Sequence, residues 1–334
     1  MTDRKELIIA ALVLSAIVIG ILLTYVVTPS YGARVSEDTD GGLEYKISTS
    51  SATEYTVTAF DNARSVNKLY IYYDENYAVC DTVHEWQRTI ISEMTVELRI
   101  RGFVNTEFVD ADRLKEVVDA GYVPGDAIFV ASGALPSTVY TGHAGDGMFK
   151  WVSDGGSLYW MGYAIGAVFA DGKEIIDVAG YQEEIFGISD CILMDKETRS
   201  AERSANPLSG SLALNYDHMA YGLSVTALSG VSSLGTEYEY DGGTYGSITL
   251  IGRGDGMICV VGLLTHPAKT TMAQIISSGV SESSEMITGS VHGKLIRNSV
   301  TGTIDHSVLT GRTNVAVNIR MGEPNIVYAR TFFF

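Results

Sequence analysis

The chain has 334 residues, of which 46% are hydrophobic and 19% charged, and its formal net charge at neutral pH is −17. So acidic a body repels phosphate, which argues against nucleic acid and against anionic lipid headgroups as partners of its surface. The apolar content is enough for the core of one large domain or two smaller ones.

The N-terminus carries the longest apolar run. Leu7 to Val27 contain no charged residue, and a helix of this length crosses a hydrocarbon core about 30 Å thick. A cleaved signal peptide has a shorter apolar stretch, and residues 30–32 are a poor match to a cleavage site. We therefore expect a cytoplasmic tail at 1–6, a transmembrane helix at 7–27 in the lipid bilayer, and a single-pass cell-membrane protein with its bulk outside.

The pattern changes twice after this segment. A polar stretch at 28–42 is typical of a tether, and the alternation in 43–48 and 54–60 predicts two strands. From Lys68 onward, apolar strands (68–73, 103–109, 127–132 and 157–161) alternate with helical patterns (83–98 and 111–121). This alternation predicts an α/β domain over 66–280, with a doubly wound, flavodoxin-like and mostly parallel sheet.

The C-terminal segment returns to a β pattern. Residues 313–320 and 326–334 predict a hairpin around "MGEPN" (321–325). About 50 residues bury too little surface to fold alone. We therefore expect residues 43–60 and 285–334 to form one small, membrane-proximal all-β domain, with the α/β domain inserted between them.

Three short motifs follow predicted strands of the α/β segment. They are "ASGALP" (131–136), "GYAIG" (162–166) and "GLLTHPAKT" (262–270). In this order they resemble the oxyanion loop, the nucleophile elbow and the histidine segment of the class I glutamine amidotransferase-like domain. The resemblance implies that strand 157–161 turns through the two glycines of the elbow into an apolar helix.

The same resemblance implies a degenerate site. Ala164 stands where the family has its cysteine, His266 stands at the position of the base, and Ala268 stands where the family has its glutamate. An alanine can neither attack an amide carbon nor orient a histidine, so the triad chemistry is lost. The sequence therefore favours a pseudoenzyme that serves binding, scaffolding or assembly with a protein partner in the cell envelope.

An enzyme that uses the same crevice differently is the alternative. His266 with Asp74 and Glu75 would supply a non-standard acid–base set acting on a small molecule or a sugar. For either function, the ligand-binding residues we expect are Asp74, Ser132, Gly133, Tyr163 and His266. The sequence identifies neither the ligand, nor the partner, nor the oligomeric state.

No cofactor is expected. Neither a phosphate-binding G-x-x-x-x-G-K-[ST] loop nor a dinucleotide G-x-G-x-x-G follows the first strand, which argues against a nucleotide. Cys80 and His84 are two candidate ligands, too few for a zinc site, so no metal is expected. Cys191 and Cys259 are either buried free thiols or a disulfide, and their spacing leaves both open.

Overall fold

The computed structural model describes residues 31–50, 53–194, 201–212, 214, 221–262, 266–296, 298–321 and 326–333. Its strands are β1 (Tyr31–Glu37), β2 (Leu43–Thr49), β3 (Thr53–Asp61), β4 (Lys68–Tyr72), β5 (Thr106–Val109), β6 (Asp126–Val130), β7 (Leu135–Pro136), β8 (Ser157–Met161), β9 (Val168–Asp171), β10 (Glu174–Asp177), β11 (Ile192–Met194), β12 (Ala201–Arg203), β13 (Tyr221–Ser224), β14 (Val231–Ser233), β15 (Thr236–Tyr240), β16 (Gly243–Gly246), β17 (Ile248–Arg253), β18 (Gly256–Val261), β19 (Glu285–Leu295), β20 (Ser299–Ile304), β21 (Asn314–Met321) and β22 (Ile326–Phe333). Its helices are α1 (His84–Ile100), α2 (Ala111–Asp119), α3 (Gly147–Ser153), α4 (Tyr181–Phe186), α5 (Pro207–Ser211), α6 (His266–Ser278) and α7 (His306–Leu309).

The largest sheet has the order β14-β17-β18-β8-β6-β4-β5. The five strands from β18 to β5 are parallel, whereas β17 runs antiparallel to β18, and the edge strand β14 runs antiparallel to β17. Strands such as "SLYWM" are apolar throughout because both faces of the sheet are covered. Ile90 of α1 and Ile275 of α6 belong to the core on one face, and Leu114 of α2 and Phe149 of α3 to the core on the other.

Strands from both ends of the described chain share two smaller sheets. β3 lies between β19 and β21, with β22 beyond β21, and β2 lies between β1 and β20. The two segments that connect these small sheets to the large sheet are hydrogen-bonded to each other. The Arg64 amide donates to the Gly279 carbonyl at 2.7 Å, and the Ser281 hydroxyl donates to the Asn62 carbonyl at 2.6 Å.

The predicted fold class is wrong for the protein as a whole. Antiparallel strand pairings outnumber parallel ones in the described residues, and the parallel ladder is confined to part of one sheet and to β7 with β9. The error lies in residues 168–246, where Gly, Ser and Tyr-rich stretches form antiparallel hairpins (β9 with β10, β15 with β16) rather than further strand–helix units. The protein is sheet-rich, with a small helical share.

The predicted membrane location is also corrected. No helix among the described residues is long and apolar enough to cross a bilayer. The predicted span at 7–27 lies outside those residues, so single-pass membrane localisation has no structural support and is withdrawn. Part of the predicted tether is ordered sheet, because residues 31–37 form β1 and pair with β2.

The helix predicted after the elbow is absent. Val168–Asp171 form β9, which turns at Gly172 and pairs with Glu174–Asp177 of β10. Val168 and Ala170 are buried while Asp171 is exposed, so burial alternates along β9 as it does in a half-buried strand. Gly162 and Gly166 thus connect a strand to a hairpin, a departure from the strand–turn–helix geometry that the motif implies.

Candidate functional site

The three motifs meet at one edge of the large sheet. β6, β8 and β18 are adjacent and parallel, with Val130 beside Trp160 and Val261 beside Met161. Their carboxyl ends therefore lie side by side, where parallel sheets place their ligand crevices. We call this region the elbow crevice and define it by residues 131–134, 162–166 and the start of α6.

Two glycines make the closest backbone approach in the elbow crevice. Gly133 has φ +66°, and a Cβ there would lie 2.8 Å from the Cys80 carbonyl oxygen and 3.1 Å from the Tyr163 nitrogen. A Cβ on Gly162, which has φ +119°, would lie 3.3 Å from the Gly133 nitrogen. Only glycine combines these φ values with this proximity. The loop after β4, the loop after β6 and the elbow are therefore packed backbone against backbone.

The elbow turn itself is fixed from two sides. The Trp160 indole nitrogen donates to the Tyr163 carbonyl at 2.7 Å, and the Tyr140 hydroxyl donates to the Gly166 carbonyl at 2.8 Å. Ala164, between them, is 1% exposed and packs in the core on that face of the sheet. The side chain at the centre of the elbow is thus a buried methyl group.

Ser132 is hydrogen-bonded through its side chain within its own loop. It is 1% exposed, and its hydroxyl donates to the Ala134 carbonyl. Its carbonyl accepts a hydrogen bond from the Cys80 amide at 2.8 Å. The side chain therefore holds the turn around Gly133, and its hydroxyl proton already has an acceptor.

The two acidic candidates after β4 are similarly engaged. Asp74 accepts hydrogen bonds from the Asn76 amide at 2.8 Å and from the Ala111 amide at the start of α2 at 3.1 Å. Glu75 accepts from the Tyr73 hydroxyl at 2.8 Å and lies 3.7 Å from the Arg88 guanidinium. These contacts are typical of loop and helix-start carboxylates that position backbone.

Cys80 is a neighbour of the elbow that the sequence did not predict, because nothing in its spacing links it to residues 132 and 163. Burial, and to a lesser extent the Asp81 carboxylate, raise the pKa of its thiol to about 11. Burial is also the main cause of the raised pKa of Tyr163, with the Cys80 and Asp81 charges adding to it. A thiol attacks as its thiolate, so Cys80 is a poor nucleophile at neutral pH.

His266 begins α6, followed by Pro267 at a position that suits the first turn of a helix. Its side chain and that of Ala268 lie outside the described residues. β18 leads towards this helix and is hydrogen-bonded to β8. The start of α6 is thus at the sheet edge where the elbow lies, and the role of His266 stays a prediction.

The described residues hold no group of three or more side chains suited to a metal ion. Cys191 and Cys259 are both buried and both free, so the disulfide that the sequence left open is not formed. Burial raises the pKa of the Cys191 thiol to about 11 and that of Cys259 further.

Comparison with known proteins gives no family. No family model matches the chain, and no curated protein matches it. Among solved structures, a beta-galactosidase from Rahnella sp. R3 aligns at 15% identity with a TM-score of 0.35, covering 64% of this chain and 31% of that one. An exo-beta-1,4-mannosidase from Opitutaceae bacterium strain TAV5 aligns at 11% identity with a TM-score of 0.33, covering 64% of this chain and 32% of that one. A beta-galactosidase from Bacillus circulans sp. alkalophilus aligns at 11% identity with a TM-score of 0.36, covering 73% of this chain and 42% of that one. The chain spans less than half of the length of each of these three proteins. A structural similarity this weak supports no inference about fold or activity.

Proposed function

We propose that the protein is a binding or assembly protein whose elbow crevice does no covalent chemistry. The observation that carries the proposal is Ala164: the elbow is built and held by hydrogen bonds on both sides, yet its central side chain is a buried methyl group. The resemblance to class I glutamine amidotransferases is part of this proposal as an interpretation of three motifs. The proposal rests on that interpretation, because the resemblance is what makes residue 164 the position of a nucleophile.

The polar groups in and beside the crevice have protein partners. The Ser132 hydroxyl, the Asp74 carboxylate and the Glu75 carboxylate each form a hydrogen bond. A carboxylate has about four lone-pair sites, so these contacts leave both acids able to accept a proton. An enzyme that uses an acid–base set on a small molecule or sugar therefore stays the alternative.

Tyr163 offers the crevice's contact surface. It is half-buried in the loop next to Gly133 and Cys80. Its carbonyl is fixed by Trp160, so the phenol is presented on a rigid turn. Rigid tyrosines are common anchors at protein contacts because they bury much area at little entropic cost.

The catalytic half of the proposal is tested by ammonia release from L-glutamine and from a panel of simple amides. We expect no turnover above the protein-free blank for the natural chain or for Cys80→Ala. Turnover that Cys80→Ala abolishes would identify Cys80 as a nucleophile and contradict the proposal.

The binding half is tested by placing a photo-crosslinking phenylalanine analogue at Tyr163 and, as a control, at Tyr240, an exposed tyrosine on β15. In cells that produce the protein naturally, we expect a discrete crosslinked product from position 163 and none from position 240. Equal products at both positions, or none at either, would argue against a partner at the elbow crevice.

A further inference from the structure

A second site lies beside the β17–β18 hairpin, and its lining residue Ile185 also packs against Gly166 of the elbow. A cavity of about 180 Å³ opens there between α4, the loop 227–229 and the two strands of the hairpin. Most of its lining side chains are apolar and Arg253 is the one charged residue among them, while polar atoms make up more than half of the exposed wall. The lining residues are Ile185, Phe186, Ile188, Ala227, Leu228, Ser229, Ile251, Gly252, Arg253 and Ile258.

Arg253 is held rigidly at this wall. Its guanidinium donates to the Ile185 carbonyl, and to the Ala144 carbonyl at 3.1 Å. The guanidinium also lies over the Phe149 ring, 5.1 Å from the ring centroid. These contacts use two of the five N–H donors of an arginine, and they fix the cation in place before any ligand arrives.

In the part of the chain that the structure describes, Arg253 forms no ion pair with a carboxylate, and the Glu184 carboxylate accepts from the Ala144 amide at 3.0 Å instead. Burial lowers the pKa of the guanidinium, because desolvation disfavours the positive charge. In a protein with a net charge of −17, a half-buried cation without an acidic partner is an unusual feature.

We propose that this cavity binds a small monocarboxylate with a branched or cyclic apolar body, its carboxylate beside Arg253 and its body against Ile185, Ile251 and Ile258. An apolar cavity of roughly 150 Å³ holds a benzene molecule, so this one has room for a ligand of about seven to nine non-hydrogen atoms. An anion supplies the missing charge in a site of low dielectric constant, where the attraction is stronger than in water. The three isoleucine side chains favour a ligand with a hydrocarbon body over a hydrophilic anion such as phosphate.

The test uses the full chain and isothermal titration with 3-methylbutanoate, an acid of about seven non-hydrogen atoms. Its uncharged counterpart, 3-methylbutanamide, is the matched ligand. We expect the acid to bind the natural protein at least about tenfold more tightly than the amide, the order of effect typical of a half-buried charge contact. We expect Arg253→Met to remove this difference and Arg99→Met, which changes an exposed arginine on α1, to leave it unchanged.

A second variant covers the case in which Arg253→Met fails to fold. Ala227 is exposed at the rim of the cavity, so Ala227→Phe fills the space without removing any core packing, and Ala227→Ser is its control. We expect Ala227→Phe to abolish binding of the acid and Ala227→Ser to keep it. Equal binding of acid and amide, no binding to the natural protein, or full binding by Ala227→Phe would overturn the proposal.

Discussion

At the scale of single residues, glycines decide the geometry of the elbow crevice. Gly133 and Gly172 have similar left-handed backbones, with φ of +66° and +55°. A Cβ at Gly172 meets nothing within 4 Å, whereas one at Gly133 meets the Cys80 carbonyl at 2.8 Å. Substituting alanine at each of the two glycines therefore separates the stability cost of the left-handed backbone from the stability cost of a close contact.

We expect Gly172→Ala to lower the free energy of unfolding by about 1 kcal/mol, because alanine disfavours the left-handed region. We expect Gly133→Ala to lower it by about 2–4 kcal/mol, since backbone must also shift. Urea unfolding followed by circular dichroism measures both values. Equal losses would mean that the contact between the loops after β4 and β6 is loose.

At the scale of elements, some sequence patterns determined the structure and others did not. "TEYEYDGGTYGS" predicts a hairpin, and the structure confirms it: β15 and β16 pair across Asp241 and Gly242, both with positive φ. The turn chemistry is local, so the sequence specifies it. The strand at 68–73 and the helix ending near Gly102 are also confirmed, because an apolar run and an apolar period of 3.6 residues are likewise local patterns.

The segment after the elbow shows where the local sequence does not determine the secondary structure. Residues 167–171 are apolar enough for a helix or a strand, and periodicity over five residues does not separate the two. The decision depends on β7, which pairs with β9 from a loop more than 30 residues earlier. Likewise, Arg253 and Cys80 are functional candidates only through neighbours distant in sequence, so no local pattern indicates them.

The pairing of β3 makes a prediction about truncation. β3 lies between β19 and β21, and Val57 and Ala59 on it are buried with Val317 and Ile319. We expect a chain ending at residue 284 to be insoluble or aggregated, because both edges of β3 and one face of its core are exposed. Size-exclusion chromatography and thermal melting measure this. A soluble monomer with the melting temperature of the full chain would show that β3 does not need these partners.

At the scale of the whole molecule, buried tyrosines set the response to alkaline pH. Burial raises the pKa of Tyr72, Tyr159 and Tyr221 above the usual value near 10. The folded state therefore keeps three protons that the unfolded state loses, and the stability they confer is present below about pH 10 and lost as the pH rises above it.

We expect each of these tyrosines to lower the free energy of unfolding by about 1.4 kcal/mol per pH unit above about pH 10, in addition to the contributions of the other buried tyrosines and thiols. Urea unfolding at a series of pH values measures the slope. The Tyr159 hydroxyl has no hydrogen-bond partner in the described structure, so Tyr159→Phe should reduce the slope by about 1.4 kcal/mol per pH unit at little cost. A slope that Tyr159→Phe leaves unchanged would contradict this assignment.

The position of β3 between two late strands also governs when the protein can fold. On the ribosome, β3 is complete at Asp61, but its partners β19 and β21 start only at Glu285 and Asn314. At roughly 5–20 residues per second, both edges of β3 stay unpaired for about 11–45 s while the intervening sheet is synthesised. Contacts of such long sequence separation slow folding and leave strand edges open to other chains. The protein's yield should therefore depend on how well these edges are shielded during synthesis.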